Sequence, residues 1–106
     1  MTDPILPPED CTTMTEVRRG VDALDRALVD MLATRFGYMR AAARIKPERG
    51  MVRDEARKAA VIAQAVAHAE QAGAPADVMA DLWERLVEAS IGYELARFDA
   101  RRADQP

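Results

Sequence analysis

Three cationic side chains in the first half of the chain have the chemistry and the setting to bind an anion: Arg18, Arg35 and Lys46. They lie in a stretch whose apolar residues recur every three or four positions, the period of an amphipathic helix. Arg35 falls where the next apolar residue is due, and a buried guanidinium is costly unless a counter-anion meets it. The pattern favours a site for an anionic ligand or an acidic partner. In the alternative, Arg35 lies at the surface, where its methylene groups cover apolar residues and its guanidinium is in water.

Two polar residues, Ser90 and Glu94, interrupt a second apolar stripe. They are four positions apart, so a helix places them on the same face. A helix that served only for packing would carry apolar residues there, and buried polar groups need hydrogen-bonding partners. The pair is therefore a candidate for ligand binding. The stripe that it interrupts consists of Met79, Leu82, Trp83, Leu86, Val87, Ile91, Leu95 and Phe98.

The spacing of the three cations predicts a second subunit. Arg35 and Lys46 are close to three helical turns apart, so they share a face at a separation of roughly 16 Å along the axis. Arg18 lies about 25 Å before Arg35 and is turned by roughly 100°, so it cannot join the same site within one chain. If all three bind one ligand, Arg18 comes from another chain, and a two-fold dimer with two shared sites meets that condition.

A single long helix must position these cations. Thr13 and Glu16 form a capping box at its start, while Pro47 and Gly50 predict its end near Ile45 or Lys46. Such a helix is roughly 48 Å long. A compact chain of this size has a radius of gyration of only about 13 Å, so the helix is expected to extend beyond its own domain and to be covered by a partner chain.

The remaining helix-capping and helix-breaking residues predict two further helices. Asp54 is predicted to cap a helix from Glu55 to about Ala72, which Gly73 and the following Pro75 end. Asp77 is predicted to cap a third helix, 78 to about 101. No segment has the alternation of a strand, so the sequence predicts an all-α, three-helix chain. The expected organisation is an N-terminal arm, 1–12, a helical domain, 13–101, and a flexible tail, 102–106.

Composition excludes several classes of protein. The chain is 49% hydrophobic and 31% charged, as expected for one soluble globular domain. Its net charge of −3 disfavours a nucleic-acid partner, and no apolar run is long enough for a membrane span. Cys11 is the sole cysteine and the N-terminus does not read as a signal peptide, so a cytoplasmic location is expected. His68, the sole histidine, lacks partners for a metal site, and neither a metal nor a cofactor is expected.

Short segments along most of the chain carry a family resemblance. The chain resembles the small all-helical AroQ-class chorismate mutases. Its opening looks most like the branch that includes bacterial isochorismate-pyruvate lyases, whereas a later segment is similar to the mutases proper. The opening segments are Pro8-Glu9-Asp10-Cys11-Thr12, Glu16-Val17-Arg18 and Val21-Asp22-Ala23-Leu24-Asp25, and the later one is Val52-Arg53-Asp54 with Arg57.

The resemblance implies an intertwined helical homodimer of three-helix chains, in which the first helix pairs with its counterpart, with shared active sites and a dianionic substrate. By it, Arg18 enters the other subunit's site and holds the enolpyruvyl carboxylate together with Lys46. Arg35 and Ser90 hold the ring carboxylate, and Arg57 lies nearby.

The resemblance also assigns the remaining contacts to the substrate. Asp54 approaches the ring hydroxyl through its backbone, while Lys46 and Glu94 face the ether oxygen of the breaking bond. Two departures stand out: Lys58 occupies the position of a glutamate that binds the ring hydroxyl in typical mutases, and Glu94 the position of a glutamine in many relatives. As a glutamate, Glu94 donates a hydrogen bond only when it is protonated.

The implied activity is the rearrangement of chorismate to prephenate. This pericyclic reaction needs no nucleophile, metal or cofactor. The alternative is an isochorismate-pyruvate lyase, which gives salicylate and pyruvate and is favoured by the N-terminal segment and by Lys58. A third possibility, from another class, is a non-catalytic helical protein for dimerisation or regulation, and Ser90 and Glu94 on an apolar stripe argue against it.

Overall fold

A computed structural model describes residues 4–104 of the chain, and over that range it is built from helices without a strand. The long helices are α1 (Met14–Ile45), α2 (Glu55–Ala72) and α3 (Ala76–Ala103), with short 3₁₀ turns at Pro8–Asp10 and Arg49–Met51. The predicted all-α class is confirmed. Residues 1–3 of the predicted arm and 105–106 of the predicted tail lie outside the described residues.

The start of α1 is fixed by the predicted capping box. The Thr13 hydroxyl oxygen accepts from the Glu16 amide over 3.2 Å, and the Glu16 carboxylate accepts from the Thr13 amide over 3.0 Å. The same carboxylate oxygen also accepts from the amide and the hydroxyl of Thr12. These bonds, with the Thr12 amide first, hold the pKa of Glu16 below its usual value. The predicted start at Met14 and the predicted end at Ile45 are both confirmed.

Both caps predicted for α2 are present. The Asp54 carboxylate accepts from the Arg57 amide over 2.9 Å and so satisfies one free donor of the first turn. At the other end Gly73 has a φ of 76°, the left-handed conformation that lets a glycine end a helix. The amide of Ala74 then returns to the carbonyl oxygen of Ala69 over 2.9 Å.

The predicted cap of α3 is wrong. The helix begins at Ala76, before Asp77, and its N-cap residue is Pro75. Pro75 has an extended ψ of 113°, and its carbonyl oxygen accepts the first helical bond from Met79 over 3.0 Å. Asp77 lies instead in the first turn, where a carboxylate is stabilised by the helix dipole. The helix continues to Ala103, slightly beyond the predicted end.

The chain divides into two compact units, Met1–Arg35 and Phe36–Pro106. In the second unit α2 packs on α3, and the residue after the second 3₁₀ turn, Val52, is buried between elements. The buried core of this unit consists of Ala43, Val52, Val87, Ile91 and Phe98, with Val61, Ile62, Trp83 and Leu95 packed against it.

The first unit, described from residue 4, has no residue in the buried class. Its N-terminal arm approaches the first turns of α1, where the carbonyl oxygen of Leu6 is within 4.0 Å of the Cβ position at Gly20. The large apolar side chains on this part of α1 are exposed in the single chain: Met14, Val17, Val21, Leu24, Leu28, Val29 and Met31. Over residues 4–104, no helix combines the length and the apolar character required to cross a bilayer.

Candidate active site

Lys46 and Glu94 form an ion pair at the centre of the candidate site. Lys46 follows the last residue of α1, and its Nζ donates to Oε2 of Glu94 over 2.7 Å. The Glu94 side chain is 6% exposed and that of Lys46 is 30% exposed, so the carboxylate is buried while the ammonium reaches solvent. A lone buried carboxylate would be costly, and Lys46 offsets that cost. The two residues predicted to face one substrate atom are therefore in direct contact.

Ser90 lies one turn before Glu94 on α3 and is also buried. Its hydroxyl donates to the carbonyl oxygen of Leu86 over 2.6 Å, a bond to the preceding turn of its own helix. A hydroxyl has one proton to donate, so binding a substrate carboxylate through that proton requires Ser90 to rotate away from Leu86. Ser90 and Glu94 interrupt the apolar face as predicted, since the apolar residues Val87, Ile91 and Phe98 of the same helix are buried.

Asp54 and Arg57 lie together at the start of α2. The Asp54 carboxylate is engaged by the Arg57 amide, and the Asp54 carbonyl oxygen accepts from the Lys58 amide over 2.9 Å. The Arg57 residue is exposed, which leaves its guanidinium accessible to an anion.

Lys58 belongs to an ionic network that sequence reasoning missed. Its Nζ is 2.7 Å from Glu84 Oε1 and 2.9 Å from Glu88 Oε2. Arg53 closes the network by donating to both oxygens of Glu88, over 3.0 and 2.9 Å, and to Glu55 over 2.9 Å. We call these five residues the Glu88 network. It joins the beginning of α2 to α3 on the helix turn that carries Asp54 and Arg57.

Charge pairing in the Glu88 network shifts the titration of its members. Hydrogen bonds from Arg53 and then from Lys58 lower the pKa of Glu88 to about 2. The carboxylates of Glu84 and Glu88, in that order, raise the pKa of Lys58. Lys58 is thus a cation with two carboxylate partners, which is why its side chain is only 16% exposed. The sequence shows that Glu84 and Glu88 are four positions apart, which places both carboxylates on one face of a helix. It does not show that this face is turned towards α2.

A second set of contacts joins the later part of α1 to α3. Nη1 of Arg40 donates to the hydroxyl oxygen of Tyr93 over 2.9 Å. The ring of Phe36 meets the ring of Tyr93 edge-on, with centroids 5.0 Å apart and an interplanar angle of 66°. Tyr93 directly precedes Glu94, so these contacts fix the turn of α3 that carries the buried carboxylate. Sequence spacing gave no signal for this contact.

The predicted site residues fall into both units. Lys46, Asp54, Arg57, Ser90 and Glu94 belong to the second unit, where Lys46 meets Glu94 and Asp54 meets Arg57. The remaining two, Arg18 and Arg35, belong to the first unit. There Arg18 is exposed, whereas Arg35 is half-buried and takes part in a polar or electrostatic interaction.

The arrangement in the second unit suits stabilisation of negative charge rather than bond-making chemistry. An ammonium has three N–H donors, so the bond to Glu94 leaves others for a ligand oxygen. The buried carboxylate fixes the position of that ammonium before a ligand arrives, and a fixed donor needs little reorganisation to stabilise developing charge. The site can therefore bind an anion and support a charge that forms on one of its oxygens.

The chain is similar to proteins of one known family. Residues 17–95 match the family described as chorismate mutase type II, and this range includes all seven predicted site residues. Among curated proteins, the chain is 28% identical over 88 residues to an isochorismate pyruvate lyase from Pseudomonas aeruginosa. That alignment covers 83% of this chain and 87% of the relative.

Proposed function

The chain belongs to the chorismate mutase type II family, and on that premise we propose that it rearranges chorismate to prephenate. The observation that carries the proposal is the Lys46 ammonium, held 2.7 Å from a buried Glu94 carboxylate at the end of α1. In this reaction one C–O bond breaks while one C–C bond forms in the same molecule. Negative charge develops on the ether oxygen as the C–O bond breaks.

Catalysis of this reaction depends on shape and on charge. The enzyme must bind the flexible dianion with its side chain folded over the ring, because that conformer brings the two carbon atoms together. It must then stabilise the ether oxygen more strongly in the transition state than in the ground state. Both tasks need cations and hydrogen-bond donors in fixed positions.

Lys46 is the donor to the ether oxygen in this proposal. Its ammonium has three N–H donors and so retains donors beyond the bond to Glu94. Glu94 has two roles: as a carboxylate it holds Lys46, and as a neutral acid it can itself donate to the ether oxygen.

The remaining site residues bind the two carboxylates and the ring hydroxyl. Ser90 and Arg35 hold the ring carboxylate, with Arg57 beside them, and the Asp54 backbone approaches the hydroxyl. Ser90 is buried and Arg57 is exposed, which is consistent with one contact at the base of the site and one at its entrance.

The proposal includes a homodimer in which Arg18 of each chain completes the other chain's site with Lys46, at the enolpyruvyl carboxylate. Support comes from the exposed apolar side chains of α1, which recur with a helical period. These include Leu24, 63% exposed, and Leu28, 50% exposed. Contiguous apolar surface of this kind marks interaction sites in soluble proteins. A two-fold axis pairs such a face with its own copy.

Mixing two inactive variants tests the shared site. Arg18→Ala and Arg35→Ala chains, each inactive alone, are allowed to exchange subunits. If Arg18 acts across the interface, about one site of each mixed dimer has both arginines and activity returns. If activity stays absent after exchange is demonstrated by native mass spectrometry, the shared site is wrong.

The function itself is tested by parallel incubation with chorismate and with isochorismate. We expect prephenate from chorismate, identified by chromatography and mass spectrometry. Conversion of isochorismate to salicylate and pyruvate at the higher kcat/KM would make the second candidate the correct one. Failure with both compounds would leave the non-catalytic dimer as the remaining alternative.

The second candidate, an isochorismate-pyruvate lyase, is favoured by the relative from Pseudomonas aeruginosa that bears this name. The lyase reaction breaks the same kind of C–O bond in a folded dianion, so Lys46 and Glu94 can serve it equally. Lys58 also favours it, because typical mutases have a glutamate at that position.

We place the protein in the cytoplasm, where a lone thiol such as Cys11 stays reduced.

A further inference from the structure

The segment between α1 and α2 is attached to the C-terminal part of α3 at two points beyond the Lys46–Glu94 pair. Arg49 makes a two-pronged ion pair with Asp99, in which Nε donates to Oδ1 over 2.9 Å and Nη2 to Oδ2 over 3.3 Å. Arg102 donates to the carbonyl oxygen of Pro47. We call these two contacts the loop clamp, formed by Arg49 with Asp99 and by Arg102 with Pro47.

One face of α3 carries this attachment. Glu94, Phe98 and Arg102 follow each other at spacing four and so lie along the same side of the helix. Phe98 belongs to the buried core, and the guanidinium of Arg102 lies 4.7 Å from the centroid of its ring. This cation–π contact holds the guanidinium in place over a rigid residue. Arg102 therefore presents a fixed donor to Pro47.

The attached segment is short and exposed. Residues 47–51 are all exposed, and the next buried side chain is Val52. The 3₁₀ turn at Arg49–Met51 is closed by bonds from the Met51 amide to Glu48 and from the Val52 amide to Arg49, each over 3.1 Å. The loop clamp acts on the part of the chain between Lys46 and the anchor at Val52.

We propose that Asp99 and Arg102 are positioning residues for the reaction. Through Arg49 and the Pro47 carbonyl they hold the 47–50 segment against α3, and this sets both the position of the Lys46 ammonium and the rate at which the segment opens. Lys46 directly precedes Pro47, so a displacement of Pro47 moves the backbone of Lys46. The inference rests on the proposed function, in which Lys46 supports the ether oxygen.

The weakness of the clamp fits this role. The side chains of Arg49 and Asp99 are 60% and 52% exposed, and ion pairs in such positions contribute little to stability. In this proposal the segment that carries Lys46 opens for substrate and product in each turnover, so a contact that opens readily is suited to it. Two contacts two residues apart in the loop restrict its orientation more than either contact alone, even though the Arg49–Asp99 pair is weak.

Proteolysis without substrate tests the clamp directly. Trypsin cleaves after arginine, and Asp99→Asn leaves Arg49 in place while removing the charge that holds it. We expect cleavage after Arg49 to accelerate roughly two- to fivefold, the range that the loss of one exposed ion pair allows. Asp81→Asn, an exposed acid earlier in α3, is the matched control and should be cleaved at the wild-type rate.

Arg102→Gln provides an independent variant. Its cleavage after Arg49 should also accelerate, whereas Arg101→Gln, at the neighbouring exposed position, should not change it. Wild-type cleavage rates in both Asp99→Asn and Arg102→Gln would overturn the inference. Equal acceleration in the two control variants would overturn it as well, because the effect would then not belong to the clamp.

Kinetics separate positioning from a merely structural role. Asp99→Asn should lower kcat by roughly the same two- to fivefold while the melting temperature stays within the range of Asp81→Asn. The exchanged pair Arg49→Asp with Asp99→Arg should restore kcat, and the deficit of Asp99→Asn relative to wild type should shrink at high salt, which screens exposed charges. An unchanged kcat in Asp99→Asn would overturn the positioning role.

Cleavage by trypsin is measured without substrate, so it tests the clamp even if the wild-type chain converts neither chorismate nor isochorismate. That failure would overturn the proposed function alone.

Discussion

The two units of the chain hold their functional side chains by different means. In the second unit Lys46 is paired with the buried carboxylate of Glu94. The helix that carries Glu94 also contributes Val87 and Ile91 to the core. In the described part of the first unit no residue reaches the buried class, and its apolar side chains are exposed in the single chain. Both units have apolar residues at helical spacing. The period of a sequence therefore identifies a face that can pack, but it does not say which surface covers that face.

The difference also concerns charge. The second unit pairs its charged groups across elements, as in Lys46 with Glu94 and in the Glu88 network. In the first unit Arg18 is exposed on the same helix as the exposed apolar residues. The second unit is thus organised by its own contacts, whereas the exposed apolar face of the first unit is the surface that the proposed homodimer would cover.

The largest expected effect is that of Lys46→Ala, which removes the central cation of the second unit. Loss of one preorganised donor to developing charge costs about 10²–10³ in kcat. The variant should also lose roughly 1–3 kcal/mol of stability, because the buried Glu94 carboxylate is left without its partner. Steady-state kinetics and urea unfolding measure the two effects.

A matched double variant separates these two effects of Lys46. Lys46→Met with Glu94→Gln removes both charges and should recover most of the stability but none of the activity. Recovery of activity along with stability would mean that Lys46 serves the fold of the second unit rather than the reaction.

The next largest effect concerns the apolar face of α1 in the first unit. Leu28→Asp places a charge on the apolar stripe of α1 and should convert the dimer to a monomer, with a loss of activity of at least about tenfold because a desolvated charge is costly at an interface. Val29→Asp is the control: Val29 is also exposed, but as the residue after Leu28 it is turned by about 100° from the stripe of Val17, Val21, Leu24 and Leu28. Sedimentation velocity and activity assays report the two outcomes. Equal behaviour of both variants would contradict the assignment of the stripe to a dimer interface.

A smaller effect concerns the protonation of Glu94. As a carboxylate it accepts from Lys46, and it can donate to the ether oxygen only when neutral. If Glu94 donates to the ether oxygen in the reaction, wild-type activity falls as the pH rises, whereas Glu94→Gln, a permanent donor of similar shape, shows a flatter profile. Rates from about pH 4.5 to 9 measure this difference. Parallel profiles, with the variant slower throughout, would leave Lys46 as the sole donor.

The smallest effect tests the ionic contacts that join α2 to α3. The pKa of Glu88 is lowered to about 2, so its pairing stabilises the fold above the ordinary glutamate value of 4.5 and is lost as the pH falls from there towards 2. Glu88→Gln should be slightly less stable at neutral pH and should lose less stability than wild type on acidification. Thermal unfolding at pH 7 and pH 3 measures both. Glu70→Gln, an exposed position on α2, is the control and should match the wild type.

Predictions of helix boundaries succeeded where the signal was local. The capping box of Thr13 and Glu16 and the pair of Asp54 and Gly73 each act over a few residues, and the start of α1 and both ends of α2 follow from them. The predicted start of α3 was wrong because two residues, Pro75 and Asp77, competed for the N-cap position. The carbonyl of Pro75 accepted the first helical bond, and this placed Asp77 inside the first turn.

The sequence by itself determined the helices, the family resemblance and the types of the residues in the candidate site, because capping and helical periodicity are properties of neighbouring residues. Only the tertiary structure decided the ion pairs. Lys46 meets Glu94 across 48 positions, Arg49 meets Asp99 across 50, and Arg53 meets Glu88 across 35. Which cation meets which carboxylate depends on how α2 and α3 rotate and pack about the core of Val52, Val87 and Phe98. That rotation is set by the fit of side chains from distant parts of the chain, which no local pattern encodes.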